Sequence, residues 1–286
     1  MNLQTKFQMS KFNENDIPGL IRLSASVGWD YDLDEVSTVL AVGMIFGHKN
    51  EKDEIISSAA IIPYEGNLAS IGMVIVNESY RGYKLGKELT VRCVNAVPSD
   101  KTIMLIATPE GKPLYEKLGF HSVSYVHKYI NENYIPSIIK EEGYKIEPYS
   151  ESDFSSIVHI DYLAIGAERR VFLEARIKQA EEVVVLKDST GKVIGFGMSI
   201  IGSDNCILGP IVAKNEQMAK LIINYLAKEK NGKLRIDIPH GQTGISSFLE
   251  STGFIKVSQP PIMIKNSNQL PARNQTLYSI AAQIFG

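Results

Sequence analysis

The chain has 286 residues, 44% hydrophobic and 22% charged, with a formal net charge of −2. These are the values of a globular protein with no global pull toward nucleic acid or an anionic membrane. Its two cysteines, Cys93 and Cys206, form no CxxC pair and have no histidine cluster beside them, which argues against a disulfide framework or a zinc site and for a reducing cytoplasm. MNLQTKFQMSKF lacks the basic-then-apolar pattern of a signal peptide, and no apolar run reaches membrane-spanning length, so a soluble cytoplasmic protein is expected.

In chain order, FQMSKF alternates like a strand, and Asn15, Asp16, Ile17 and Pro18 form a start signal for a helix to about Ser26. After VGWDYD a second helical pattern covers about Leu33 to Val42. EIISSAAIIPY and LASIGMVIV are β-rich and joined by the hairpin turn Glu65, Gly66, Asn67. A Gly-containing turn follows, then a helix with Leu85, Leu89, Cys93 and Val97 on one face. IMLIAT reads as a buried strand, GKPLYEKLG as a short helix and HSVSYVHKYI as another strand, in which His121 and His127 read as structural. The predicted order is β-α-α-β-β-β-α-β-α-β, a mixed sheet covered by helices.

Periodicity fades over NENYIPSIIKEEG, residues 131–143, which reads as a linker between a domain at 1–130 and a second at 144–286. The second segment repeats the order of the first. YKIEPYSESDFSSIV resembles FQMSKFNENDIPGLI, and LESTGF echoes YEKLGF. Two copies of one α/β domain are expected, each a mixed, mostly antiparallel sheet flanked by helices; one 286-residue domain is the competing arrangement. The tail from Leu270 ends in LYSIAAQIF, which has a helix-like pattern and is expected to dock on the body. Asp161, Arg169 and Arg170 read either as a solvated helix face or as a charged cluster facing a cleft.

The chemistry concentrates in NESYRGYKLGKELT, residues 77–90, directly after the apolar run SIGMVIV. A turn feeding a helix N-terminus offers unpaired N–H groups and the positive end of the helix dipole. Gly82 and Gly86 remove Cβ atoms where the backbone must approach a ligand, and Arg81, Lys84 and Lys87 add positive charge at the same point. By itself the hexapeptide RGYKLG is also compatible with a plain surface loop.

Together, VIVNESYRGYKLGKEL and the LYEKLGF that follows thirty-odd residues later resemble the acyl-CoA-binding signature of the GNAT superfamily of N-acetyltransferases. That signature reads Arg or Gln, two residues, Gly, one residue, then Gly or Ala. Arg81 and Gly86 match its ends, and Lys84 replaces its middle glycine, a departure expected to be tolerated if residue 84 keeps a negative φ. The resemblance covers roughly residues 5–130 well and 144–265 in outline. It implies an acetyl-CoA-dependent N-acyltransferase with no metal. Val74, Ile75 and Val76 would pair with the pantetheine chain through main-chain groups. Arg81, Gly82, Tyr83, Lys84, Leu85, Gly86 and Lys87 would hold the pyrophosphate. Thr108 takes a position where the family often has a cofactor-touching asparagine. Tyr115 would touch the cofactor and protonate the departing thiolate, a task that suits a phenol with a reference pKa of about 10.

No acid lies on SIGMVIV, so the general base is open among Asp30, Glu78 and Glu110. Trp29, Asp30 and Tyr31 sit in the loop that flanks the family's acceptor pocket and are the candidate substrate residues. The expected acceptor is a primary amine on a small molecule, with a protein amine kept open; no nucleic acid or membrane partner is expected, and a homodimer is possible. The second copy has no glycine between Gly209 and Gly232, has Glu216 in the region of the arm, and has Leu249 where the first has Tyr115, so it is expected to bind no CoA. The alternative function is a non-catalytic acyl-CoA-binding or sensing protein whose second domain recruits a partner.

Overall fold

The computed structural model describes residues 7–139 and 143–286; the first six residues and the part of the expected linker at 140–142 lie outside the described residues. The first half runs β1 (Gln8–Lys11), α1 (Ile17–Ala25), α2 (Leu33–Val42), β2 (Met44–Lys49), β3 (Ile55–Pro63), β4 (Leu68–Val76), α3 (Leu85–Val94), β5 (Thr102–Ile106), α4 (Lys112–Lys117) and β6 (His121–Asn131). The second half repeats it as β7 (Tyr144–Pro148), α5 (Phe154–Ile165), α6 (Arg170–Gln179), β8 (Glu182–Asp188), β9 (Val193–Ile201), β10 (Cys206–Ala213), α7 (Glu216–Lys228), β11 (Leu234–Pro239), α8 (Thr243–Ser251), β12 (Ile255–Ser258), β13 (Pro261–Lys265) and β14 (Leu277–Ser279).

The repeat extends to single hydrogen bonds. Each copy precedes its first helix with a capping box on a 3-10 turn: the Asn13 N–H donates to the Asp16 carboxylate at 3.0 Å and the Ser150 N–H to that of Asp153 at 3.1 Å, which satisfies an orphan donor in each. In YEKLGF the Phe120 N–H donates to the Tyr115 carbonyl at 3.0 Å; in LESTGF the Phe254 N–H donates to the Leu249 carbonyl at 2.9 Å. Gly119 and Gly253 sit at φ +86° and +93° in these turns, a conformation that glycine adopts without a Cβ clash.

One continuous sheet joins the halves, in the order β1-β2-β3-β4-β5-β13-β6-β11-β10-β9-β8-β7. The halves exchange strands to make it. Strand β13 of the second half lies between β5 and β6, pairing Ile262 with Ile106 and with Ser124. The distal part of β6, from Val126 to Asn131, pairs with β11. Helices α3 and α4 cover one face of the first half around Leu89, Cys93 and Phe120, and α7 and α8 cover the equivalent face of the second. The remaining helices, α1, α2, α5 and α6, bury a common core between the halves that includes Leu20, Val39, Ile157 and Phe172. Strand β3 is buried at seven of nine positions, which explains its near-continuous apolar sequence.

Two expectations are corrected here. LYSIAAQIF is not a helix: Leu277–Ser279 forms β14, paired antiparallel with β10. Open strand edges at that place outcompete a short helix that has few internal hydrogen bonds of its own. Asp161 and Arg169 are not a solvated face. They form a bidentate pair, 2.7 and 2.9 Å, with both side chains fully buried. Arg169 also donates to the carbonyls of Phe285 and Gly286, joined there by the Tyr64 hydroxyl, which donates to Phe285 at 2.6 Å. The docked tail supplies the acceptors that make this burial possible.

Candidate active site

Strands β4 and β5 run parallel and stay paired only from Leu68–Thr102 to Ile71–Leu105. Beyond that point β4 continues through Val76 with β3 as its one strand partner among the described residues, so the main-chain edge of Gly72–Val76 faces an open fork. A bulge marks the departure: Met73 and Val74 together oppose Ala59, and Met73 adopts φ +50°. Ile75 is buried while Val74 and Val76 are half-buried. Their side chains belong to the packing and their main chain to the fork.

The arm follows without a break. Asn77 caps a short 3-10 turn, Glu78–Tyr80, and α3 then starts at Leu85, which is buried. Among the described residues no side chain caps α3, leaving its first-turn N–H groups for another acceptor. A Cβ at Gly86 would meet only Val76 and Leu114, at 3.5 and 3.6 Å. The fold therefore tolerates a small side chain there, and the glycine keeps clear the space between β4, α3 and α4. Gly82 has φ +86° and open space around it. Arg81, Tyr83, Lys84 and Lys87 are exposed; Arg81 pairs with Glu78 at 3.2 Å, and the Tyr83 ring packs edge-on to Phe7.

Lys84 departs from expectation. It lies at φ +65°, ψ +13°, in the left-handed region, not at negative φ. It adopts the backbone conformation for which glycine is suited, at the steric cost a Cβ carries there.

On the other side of the fork, Thr108 holds the start of α4: its Oγ1 accepts from the Gly111 N–H at 3.2 Å, and its carbonyl accepts from the Lys112 N–H. A Cβ at Gly111 would stand 3.0 Å from the Tyr115 ring, 3.4 Å from Thr108 Oγ1 and 3.5 Å from the Tyr115 hydroxyl, so the glycine lets the Tyr115 ring and Thr108 pack beside the start of α4. Tyr115 is 7% exposed and rests edge-on against Phe120. Burial, with Cys93 as a smaller contributor, pushes its phenol well above the ordinary tyrosine range. It stays protonated at any working pH and can act as a donor.

The loop between α1 and α2 reaches the fork, since the Asn77 amide donates to Ser26 Oγ at 3.4 Å. Trp29 and Tyr31 are half-buried neighbours with centroids 6.2 Å apart. Asp30 turns toward the second half: Ser203 Oγ donates to its carbonyl at 2.9 Å and the Asn205 amide to its carboxylate at 3.0 Å. Lys128 and Arg235 lie close enough to feel its charge. Of the three candidate acids, Asp30 is engaged across the halves and Glu78 is paired with Arg81, while Glu110 is exposed. Sequence reasoning missed Ser203, Asn205 and Arg235, whose approach depends on how the halves meet; no local pattern signals it.

The second copy has a matching fork, and it is filled. Pairing of β10 with β11 covers only Cys206–Leu234 and Ile207–Arg235. Strand β14 then enters beside β10, opposite Ile211 and Val212, and the Ile280 N–H donates to the Asp237 carbonyl of β11 at 2.9 Å. At α7 the Asn215 side chain accepts from the Met218 N–H at 3.0 Å, so the helix caps itself. Glu216 is bonded to Lys220 and its carboxylate occupies the space beside Gly244. Leu249 is fully buried where Tyr115 stands in the first copy.

Comparison with known proteins finds two matches to family models, each described as an acetyltransferase (GNAT) domain, over residues 39–135 and 157–279. The chain is 34% identical over 280 residues to an uncharacterized N-acetyltransferase, YitH, of Bacillus subtilis, covering 98% of each. Its fold is similar to a Pyrococcus horikoshii structure assigned to the acetyltransferases, with a TM-score of 0.82 and 21% identity over 99% of this chain and 96% of that one. It is also similar to a tandem GNAT protein from the clavulanic acid biosynthesis pathway, with a TM-score of 0.66 and 11% identity over 92% and 100% of the respective chains.

Proposed function

We infer the function from one premise: the chain belongs to the GNAT acetyltransferase family, as an N-acetyltransferase with two GNAT domains. The first half, residues 1–130, is the catalytic unit in this reading, and it uses acetyl-CoA to acetylate a primary amine on a small molecule. The second half, 144–286, joined through 131–143, is a non-catalytic copy that forms a wall of the acceptor site. One contrast carries the reading: an open fork and uncapped helix in the first copy, against a filled fork and self-capped helix in the second.

Bound acetyl-CoA would supply an activated acyl thioester. The N–H groups opening α3, with Arg81 and Lys87, would take the pyrophosphate charge. The free edge of Val74–Val76 would pair with the amides of the pantetheine chain, and a main-chain N–H there would serve as donor to the oxyanion. As the C–N bond forms and the C–S bond breaks, Tyr115 would donate its proton to the sulfur, and the proton shed by the amine would return to the phenol through solvent. The second half supports the loop holding Trp29, Asp30 and Tyr31 through Ser203 and Asn205. Holding amine and thioester in one complex supplies acceleration by proximity.

The amine is tested with the intact chain: free thiol and acetylated product should appear together, in equal amounts, for at least one member of a panel of small primary amines. Product from a peptide amine alone would move the acceptor class to proteins.

Lys84→Gly should leave acetyl-CoA affinity within about tenfold, because one exposed charge contact is worth roughly 0–1 kcal/mol. Relieving a left-handed L-residue gains about 1–2 kcal/mol, and the added freedom of glycine in the unfolded chain offsets about 0.5–1 of it. A slightly raised Tm is therefore expected from thermal unfolding. Hundredfold tighter binding would mean that the lysine obstructs the arm.

A further inference from the structure

We propose that Ser58, on β3, is a positioning residue for acyl transfer: its hydroxyl fixes the β4 bulge that opens the fork. The inference rests on the acyl-transfer reading of the first half and adds a residue to it. Ser58 is fully buried, and its Oγ donates to the Met73 carbonyl at 2.9 Å. Met73 is the residue at φ +50°, two positions past Ile71, where β4 last pairs with β5. The bond therefore grips the chain where its path is least determined by ladder pairing, a few residues before Val76. A left-handed residue inside a strand costs energy and persists only where its surroundings over-determine it. From the other side, the bulge is backed by the tail, since a Cβ at Gly72 would overlap Ile284.

The second copy supplies an internal control. Its β10 carries the same bulge, with Gly209 and Pro210 together opposite Met198. Ser58 stands opposite Ile75 in the first copy; Gly197 stands opposite Ile211 in the second. The bulge thus forms without a serine at the position of Ser58; there Ser279 Oγ, from β14, donates at 2.7 Å to the carbonyl of Leu208, the residue before the bulge. Each bulge is held by a buried serine hydroxyl, which comes from the paired strand β3 in the copy with an open fork and from the inserted strand β14 in the copy whose fork is filled. What the hydroxyl adds is a fixed direction for the main-chain groups of Val74–Val76, on which oxyanion stabilisation depends far more steeply than binding does.

The test compares Ser58→Ala and Ser58→Thr with the wild type in three readouts: kcat at saturating substrates, acetyl-CoA Kd by titration, and hydrogen exchange of the amides of residues 73–76. Ser58→Ala should lower kcat about tenfold, the equivalent of one buried hydrogen bond. Kd should change less than about threefold, the 73–76 amides should exchange faster, and the folded fraction should be unchanged. Ser58→Thr, which keeps the hydroxyl, should recover kcat; if its extra methyl prevents folding, the alanine arm decides alone. Unchanged kcat in Ser58→Ala overturns the proposal and leaves the acyl-transfer reading standing, as does a loss in kcat matched by Kd or by the folded fraction. A wild type that transfers nothing overturns both. The exchange readout needs no turnover, and unaltered exchange at 73–76 overturns the proposal whatever the activity.

Discussion

Tyr115→Phe is expected to lower kcat by about 10²–10⁴-fold, the usual contribution of a general acid, while the KM for acetyl-CoA stays close to that of the wild type. The substitution removes one oxygen and keeps the ring against Phe120, so the packing of α4 is preserved. The hydroxyl is engaged only when negative charge develops on sulfur, and a contact made only in the transition state lowers kcat and kcat/KM together. Because burial holds the phenol well above its ordinary range, no loss of activity from its ionisation is expected at alkaline pH up to the ordinary tyrosine value. Steady-state kinetics at saturating acetyl-CoA checks both statements. Full activity in the phenylalanine variant would reduce Tyr115 to a packing residue.

Gly86→Glu should weaken acetyl-CoA binding by about a hundredfold or more without unfolding the protein. A carboxylate at the arm would oppose the phosphates, and juxtaposed like charges cost several kcal/mol. The free protein is expected to tolerate it well. Residue 86 lies in the first turn of α3 with ordinary contact distances around a new Cβ. Glutamate is a better helix former than glycine, and its charge suits the N-terminal end of the dipole. Stability and affinity should therefore move independently, which thermal unfolding beside calorimetric titration will show.

How far these features were legible in the sequence depends on how local their causes are. The capping boxes at Asn13 and Ser150 and the turns in YEKLGF and LESTGF are set within six residues, and the repeat could be read from them. The arm could be read for the same reason, since a strand, a Gly-bearing turn and a helix start are contiguous. The condition set on Lys84, a negative φ, could not be checked in the sequence, because a lysine carries no mark of its φ; the left-handed state is imposed by the turn around it. Strand exchange through β13 was invisible, because pairing between residues as distant as Ile106 and Ile262 leaves no periodic trace. The tail is opaque for a related reason: LYSIAAQIF has apolar spacing that suits a helix, but the fork between β10 and β11 offers its backbone better partners. The burial of the Asp161–Arg169 pair leaves no local mark, because the acceptors that complete Arg169, the carbonyls of Phe285 and Gly286, lie over a hundred residues away. Ser58 carried no signal at all; a serine in a β-rich run is ordinary until the strand opposite it is seen to bulge.

The most direct test of the account is a calorimetric titration of the intact chain with acetyl-CoA. One open fork and one fork closed by the protein's own strand predict a stoichiometry of one per chain, abolished over the same concentration range in Gly86→Glu. A stoichiometry of two, or a Gly86→Glu protein that still binds one acetyl-CoA with wild-type affinity, would contradict it.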